Sequence, residues 1–381
     1  FAIGAALNMT AANFIQLISF RCIEALGASI MLSNAQAIIA TIFKNERRGK
    51  ALGLNGCLVA IGGMSGPALG GILINSFGWH AIFAPCIPIA LIGAYYAYKM
   101  LPSHIDHHKK PFKFDYKGFI YFTISLFALL LAISEGHTWG WTSVKIIVLG
   151  VTTLIFGALF YFRDHKINYP LINFAMFSIR PFTLGNLAVM LSYMAMYTNS
   201  ILLPFFLQEI LKYNPLVTGL LILPYSVTLS FIAPVAGRLA GKYGSRWLTL
   251  AGPAVYVIAL VLFTIYDKHV QMWQIIFASG IMGIGNGLFQ SPSNNAIMTS
   301  VKHEELGIAS GILALSRNMG NILGVAVTIT LFETFKTMFL ESGKIYDIAF
   351  LTSYRTTMCF GILFGLLCMT CAFIAYKPHK Q

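Results

Sequence analysis

Arg21 and Glu24 stand three residues apart inside an otherwise apolar run at 13–42. On a helix, positions i and i+3 share a face, so the two can pair. A charge in the bilayer interior is costly; it ordinarily faces a cavity or a partner and marks a pathway. The pair therefore has two readings: a proton relay, or a structural pair that neutralises itself. Glu24 is the one carboxylate set well inside an apolar run, because Glu135, Glu209 and Glu333 fall near run ends. Arg317, with Asn318 and Asn321 beside it, is a second cation within a run, at 307–332. Gln290, Asn294 and Asn295 put uncharged polar groups into the run at 272–298, where they line a substrate path or bond across helices. Other chemistry is weakly represented. Cys368 and Cys371 have CxxC spacing, but no second pair or nearby His accompanies them, so they read as buried core cysteines. His104, His107 and His108 lie in a Lys-rich connection without a Cys or acidic cage, which suits a solvated loop better than a metal site. No phosphate-binding Gly-rich loop and no Gly-x-Ser-x-Gly motif is present. No metal, no cofactor and no enzymatic activity are expected.

The elements that must position these residues are membrane helices. The 381 residues are 57% hydrophobic and 10% charged, against about 25% charge in a soluble domain. Apolar runs fall at 13–42, 52–74, 80–99, 117–134, 144–162, 182–207, 216–236, 247–266, 272–298, 307–332 and 357–376, which predicts an all-α polytopic membrane protein. The alternating ten-residue segments of an outer-membrane barrel are absent. A net charge of +13 invites a nucleic-acid partner, but the basic residues lie in short connections between runs, so none is expected. Eighteen Lys and Arg fall in one set of alternate connections, including 44–50, 99–117, 238–246 and the carboxyl terminus; six fall in the other set, and Arg21 and Arg317 lie within runs. The richer side reads as cytoplasmic, which puts the carboxyl terminus inside. The piece from Phe1 to Leu7 is too short to span, and the chain opens without Met, so further helices are expected upstream.

The stretch Gly62-Gly63-Met64-Ser65-Gly66-Pro67-Ala68-Leu69-Gly70-Gly71 lies within the run at 52–74. Gly62, Gly66 and Gly70 are spaced by four, so one helix face is bare backbone that another helix can approach closely. Pro67 removes a helical donor and bends the helix. An internal repeat also emerges. Gly49, Ala51, Gly53, Gly62 and Gly66 recur as Gly307, Ala309, Gly311, Gly320 and Gly324, at an offset of 258, and Gly27, Ser33 and Asn34 recur as Gly287, Ser293 and Asn294, at 260. Parallel repeats of this kind build the two halves of some transporters.

Gly66-Pro67 followed by Gly70-Gly71 resembles the antiporter motif of drug exporters of the major facilitator superfamily. Arg21, Glu24, Ala25 and Gly27 resemble that family's helix-4 motif Arg-x-x-Gln-Gly, with Glu24 at the glutamine position. The segment 237–246 resembles its cytoplasmic loop motif through Gly237, Arg238, Leu239, Ala240, Lys242, Gly244 and Arg246, with Gly241 in place of the acid. Phe206-Leu207-Gln208 resembles a Tyr-Leu-Gln found at an outer helix end, as a gate or a headgroup anchor.

The second repeat copy falls eight runs after the first, which resembles the fourteen-helix drug:proton antiporter branch. That resemblance implies an amino-terminal half at 1–99 holding helices 3–6, a loop with two inserted helices at 100–180, and a carboxy-terminal half at 181–381. It further implies a monomer in a bacterial cytoplasmic membrane that exports amphipathic, cationic, drug-like substrates in exchange for protons. Gln290, Asn294, Asn295, Arg317 and Asn321 would line its cavity, and Arg21 and Glu24 would couple the proton. The alternatives are an exporter of a narrower metabolite and a membrane sensor or assembly protein that transports nothing.

Overall fold

The structure is a computed structural model that describes residues 1–43, 47, 50–55, 58–59, 62, 69–70, 73–74, 76–100, 115–167, 171–172 and 174–376. Among these residues there is no strand. The helices are α1 (Ala2–Asn8), α2 (Phe14–Ile42), α3 (Cys86–Met100), α4 (Tyr116–Trp139), α5 (Val144–Asp164) and α6 (Arg180–Phe205). They continue with α7 (Pro215–Tyr243), α8 (Arg246–Ile265), α9 (Met272–Thr299), α10 (Leu306–Glu341) and α11 (Tyr346–Ala375). Ten segments among the described residues are long and apolar enough to cross a membrane. The eleventh expected span, 52–74, contains Gly63, Gly66, Pro67 and Gly71, which lie outside the described residues, as do His104, His107 and His108; the described residues of that span are helical.

Helix starts follow local side-chain chemistry. Asn13, Ser143 and Asn214 each accept from a backbone N–H three residues on, which satisfies a donor the first turn leaves free. Gln271 and Gln274 bond reciprocally at the start of α9. Gly244, at φ +87°, makes the turn from α7 to α8, a left-handed conformation that costs glycine little.

Helices α6 to α11 form one bundle. In it α9 lies against α7 and α8, while α6 runs between α10 and α11. One apolar core joins Phe206, Tyr256, Phe263, Ile275, Phe350 and Tyr354. A second, shared with α2, joins Phe182, Phe289, Ile297, Leu313 and Cys368. Both α2 and α4 rest on α10. The hairpin of α4 and α5 is tied at its base by Asp115, whose buried carboxylate takes three hydrogen bonds from the Arg163 guanidinium at 2.8–3.1 Å. That guanidinium holds the Asp115 carboxyl below its ordinary value.

Two boundaries and one side-chain placement differ from the sequence reading. The segment 237–243, expected in a connection, is the last part of α7, so Gly237 and Arg238 are helical and only Gly244 and Ser245 are left between helices. Nothing in Arg238-Leu239-Ala240-Gly241-Lys242 stops a helix; the positive φ at Gly244 does. Helix α11 starts at Tyr346 and not near 357, because the hydroxyls of Thr352, Ser353 and Thr356 each donate to a carbonyl four residues back, and Arg355 donates to the Tyr266 carbonyl. Polar side chains lowered the hydropathy there while most of them bond back to the helix; the buried Tyr354 and Thr357 hydroxyls have no partner. Phe206 is fully buried and stacks on Tyr354 at 5.0 Å, so it is no headgroup anchor. It opens a π-helical turn, Phe206–Ile210, just after Pro204.

Candidate functional site

Two polar groupings lie within the spans. In the first, Glu24 is buried on α2 with 7% of its surface exposed. Its Oε2 accepts from Asn8 Nδ2 of α1 at 2.7 Å and from Arg21 Nη1 at 3.2 Å. The Arg21 guanidinium lies over the Phe83 ring at 4.8 Å. A Cβ added to Gly4 would overlap the Glu24 backbone, so α1 presses directly on this turn of α2. Sequence reasoning found Arg21 and Glu24 but missed Asn8, whose helix is too short to register as a span.

At the repeat offset of 260, Arg21 and Glu24 correspond to Ile281 and Ile284. The second copy thus keeps the helix and its glycine while using apolar residues at both positions. The ion pair is not part of the repeated scaffold.

The second grouping lies where α6, α7 and α9 meet. Along α9, Met282, Asn286 and Gln290 are spaced by four and share a face. Asn199 Nδ2 donates to Met282 Sδ at 3.2 Å, Asn286 Nδ2 donates to the Tyr225 hydroxyl at 2.9 Å, and Gln290 donates to the Tyr193 hydroxyl. The Tyr225 hydroxyl in turn donates to Met196 Sδ at 2.9 Å. The group offers phenol, amide and thioether, with no carboxylate. Close packing holds it: a Cβ on Gly283 would overlap Tyr225 and Thr228 of α7. Sequence reasoning named Gln290 but missed Met282 and Asn286, which the four-residue spacing along α9 could have found. The phenols of α6 and α7 were not readable in that way, because tyrosines are scattered through the chain.

Gln290 is therefore the one member of the expected cavity set seen in this grouping. Asn294 is buried, with an unpartnered Oδ1. Asn295, one residue further round the helix, reaches instead to Ser245 at the start of α8. Asn321 lines a crevice of about 260 Å³ against Ile133, Ser134 and Thr138 of α4. Arg317 is half-buried and makes no ion pair among the described residues.

Of the glycine face, Gly66, Pro67 and Gly71 lie outside the described residues. A Cβ on Gly62 or Gly70 meets nothing within 4 Å. The close approach expected of that face is found in the second repeat copy. There a Cβ on Gly320 would lie 2.5 Å from the Met190 carbonyl, and one on Gly324 would lie 3.0 Å from the Met194 Cα. Among the described residues no group of His, Cys, Asp and Glu could hold a metal, and Cys368 and Cys371 are both free thiols.

Comparison with known proteins follows from this architecture. The chain is 33% identical over 367 residues to the riboflavin transporter RibZ of Clostridioides difficile, covering 94% of this chain and 78% of that protein. It is 29% identical to the multidrug resistance protein Stp of Mycobacterium tuberculosis, covering 86% of this chain and 60% of Stp. It is 26% identical to the lincomycin resistance protein LmrB of Listeria innocua, covering 98% and 80%. A solved structure of the proton:xylose symporter XylE, bound to 6-bromo-6-deoxy-D-glucose, matches 96% of the chain and 76% of its own, with a TM-score of 0.59 at 16% identity. The model of the Major Facilitator Superfamily matches residues 1–179 and 185–381. With ten spans among the described residues and a family match over nearly its whole length, this multi-pass membrane protein belongs to the Major Facilitator Superfamily.

Proposed function

We propose that this chain is a secondary active exporter that moves amphipathic, drug-like compounds out of a bacterial cell in exchange for protons. The observation that carries the reading is Glu24, a carboxylate buried in a membrane span and held by a guanidinium and an amide. A buried carboxylate keeps or loses its proton according to desolvation and the distance to a neighbouring cation. A helix movement that changes that distance changes proton binding, which is the coupling an antiporter requires. The names of the relatives Stp and LmrB support a drug-like cargo. The phenol rings and thioethers around Gln290 and Asn286 suit an aromatic, amphipathic ligand, and ring faces also attract a cation.

The proposed plan has an amino-terminal half at 1–99, two inserted helices within 100–180 and a carboxy-terminal half at 181–381. It follows the fourteen-helix antiporter branch, with α4 and α5 as the inserted pair. The antiporter motif at Gly62, Gly66, Pro67, Gly70 and Gly71, the monomeric state and a cytoplasmic carboxyl terminus belong to the same proposal.

One observation favours a narrower substrate. The α6–α7–α9 grouping is uncharged and rich in amide and phenol groups, which suits a neutral heteroaromatic ring with an imide edge, and RibZ is named for riboflavin. A transport assay separates the two readings. Everted vesicles containing the full-length protein should accumulate ethidium when their lumen is acidified, and nigericin should abolish the uptake. Uptake of riboflavin without ethidium would move the conclusion to the narrow substrate. Failure with both probes at confirmed expression would overturn the exporter reading.

A further inference from the structure

The geometry points to a binding site for a phosphate ester where α7 turns into α8, between the ends of α9 and α11. A cavity of about 450 Å³ opens there, lined by Ser245, Arg246, Asn295, Thr299, Ser300 and Tyr376 among others, with no carboxylate in its wall among the described residues. Four features converge on it. Arg246 is the first residue of α8, and its Nε is buried without a hydrogen-bond partner. Arg246 also has no ion pair among the described residues, and Gly241 stands where the loop motif it resembles carries an acid. Ser245 at the cap of α8 makes no side-chain capping bond, so the first N–H groups of that helix are left for an outside acceptor. Asn295 is more than nine-tenths buried; its Nδ2 donates to Ser245 Oγ at 3.4 Å, which leaves the Ser245 hydroxyl free to donate, and its carbonyl Oδ1 has no donor, so it is open to a hydroxyl or ammonium of the group that the phosphate carries.

A buried guanidinium N–H without an acceptor is expensive, and no acid among the described residues relieves it. A helix amino terminus beside it adds partial positive charge and convergent N–H groups. A guanidinium and backbone N–H groups together are what a tetrahedral oxyanion recognises, and Arg binds phosphate through parallel donors. The Ser245 hydroxyl supplies a neutral donor at the edge, and the Asn295 carbonyl accepts from a donor on the esterified group. The cavity is roomier than a bare anion needs, which leaves space for the group esterified to the phosphate. That chemistry is common to a phospholipid headgroup at the membrane face and to a soluble phosphate or phosphate ester.

The test separates these sources. Purified full-length protein in a neutral detergent is heated with and without inorganic phosphate, and protein in nanodiscs of phosphatidylcholine is compared with protein in nanodiscs containing phosphatidylglycerol. The expected result is a rise in Tm of a few degrees with at least one probe, lost in Arg246→Gln. The apparent affinity for that probe should fall at least about tenfold, as expected for loss of a charge-assisted hydrogen bond. A response to phosphate in detergent assigns the site to a soluble anion. A response to phosphatidylglycerol alone assigns it to a lipid headgroup. No response to either probe, or equal responses in wild type and Arg246→Gln, overturns the site. If Arg246→Gln fails to fold, Asn295→Asp decides. A carboxylate set beside Arg246 should keep the protein folded and abolish the response. An Asn295→Asp protein that responds like wild type also overturns the proposal.

Discussion

At the scale of the residue, Glu24 concentrates the functional argument. Its burial cost is offset by Asn8 and Arg21, yet those two contacts differ in kind. The amide stabilises the carboxylate from another helix, whereas the guanidinium lies one turn away on the same helix, with over half of its side-chain surface exposed. A purely structural pair needs no such exposed partner, and the repeat copy manages with Ile281 and Ile284. Glu24→Gln keeps the shape, keeps an acceptor for Asn8 and removes the titration. The expected outcome is loss of proton-driven export with substrate binding retained, measured as ethidium efflux against pH beside equilibrium ethidium binding. Export at the wild-type rate and pH dependence would end the relay argument. The sequence exposed this pair because charges stand out in an apolar run. Asn8 stayed hidden because sixteen residues separate it from Glu24, and only the packing of α1 on α2 brings the two together.

At the scale of the element, glycine spacing announced a close helix seam, and the structure locates that seam in the second copy. Gly320 and Gly324 bring α10 against Met190, Tyr193, Met194 and Tyr197 of α6. Gly311, one helical stretch earlier, has nothing within 4 Å of a built Cβ. Gly320→Leu should therefore overpack the α6–α10 contact at a cost of about 1–3 kcal/mol or more, because a backbone carbonyl cannot yield as a side chain does. Gly311→Leu should stay near wild type. Fluorescence-detected size-exclusion after a heating series measures both, and equal midpoints for the two variants would refute the seam. Helix existence was legible throughout from hydropathy. Helix ends were less so: α11 gains more than ten residues at its start because hydroxyls bonding back to carbonyls make polar side chains cheap within a helix, an effect that averaged hydropathy ignores.

At the scale of the whole molecule, helices α6 to α11 fix which connections share a side. Gly244, Ser300 and Tyr376 line one cavity, so the α7–α8 turn, the end of α9 and the end of α11 lie on one face. Helix α10 starts six residues after Ser300 and runs 36 residues, about 54 Å at 1.5 Å per residue, which carries Ser342 to the opposite face. On that opposite face Lys268 pairs with Asp347, and Arg355 reaches Tyr266. The face bearing Arg238, Lys242 and Arg246 is the richer in Lys and Arg, and we expect it in the cytoplasm. Single cysteines placed by Tyr243→Cys and Ser342→Cys, in a protein otherwise freed of cysteine, test this. A membrane-impermeant maleimide applied to intact cells should label Ser342→Cys and leave Tyr243→Cys unlabelled until the membrane is opened. The reverse pattern would invert the topology, and with it the direction in which Glu24 would carry its proton.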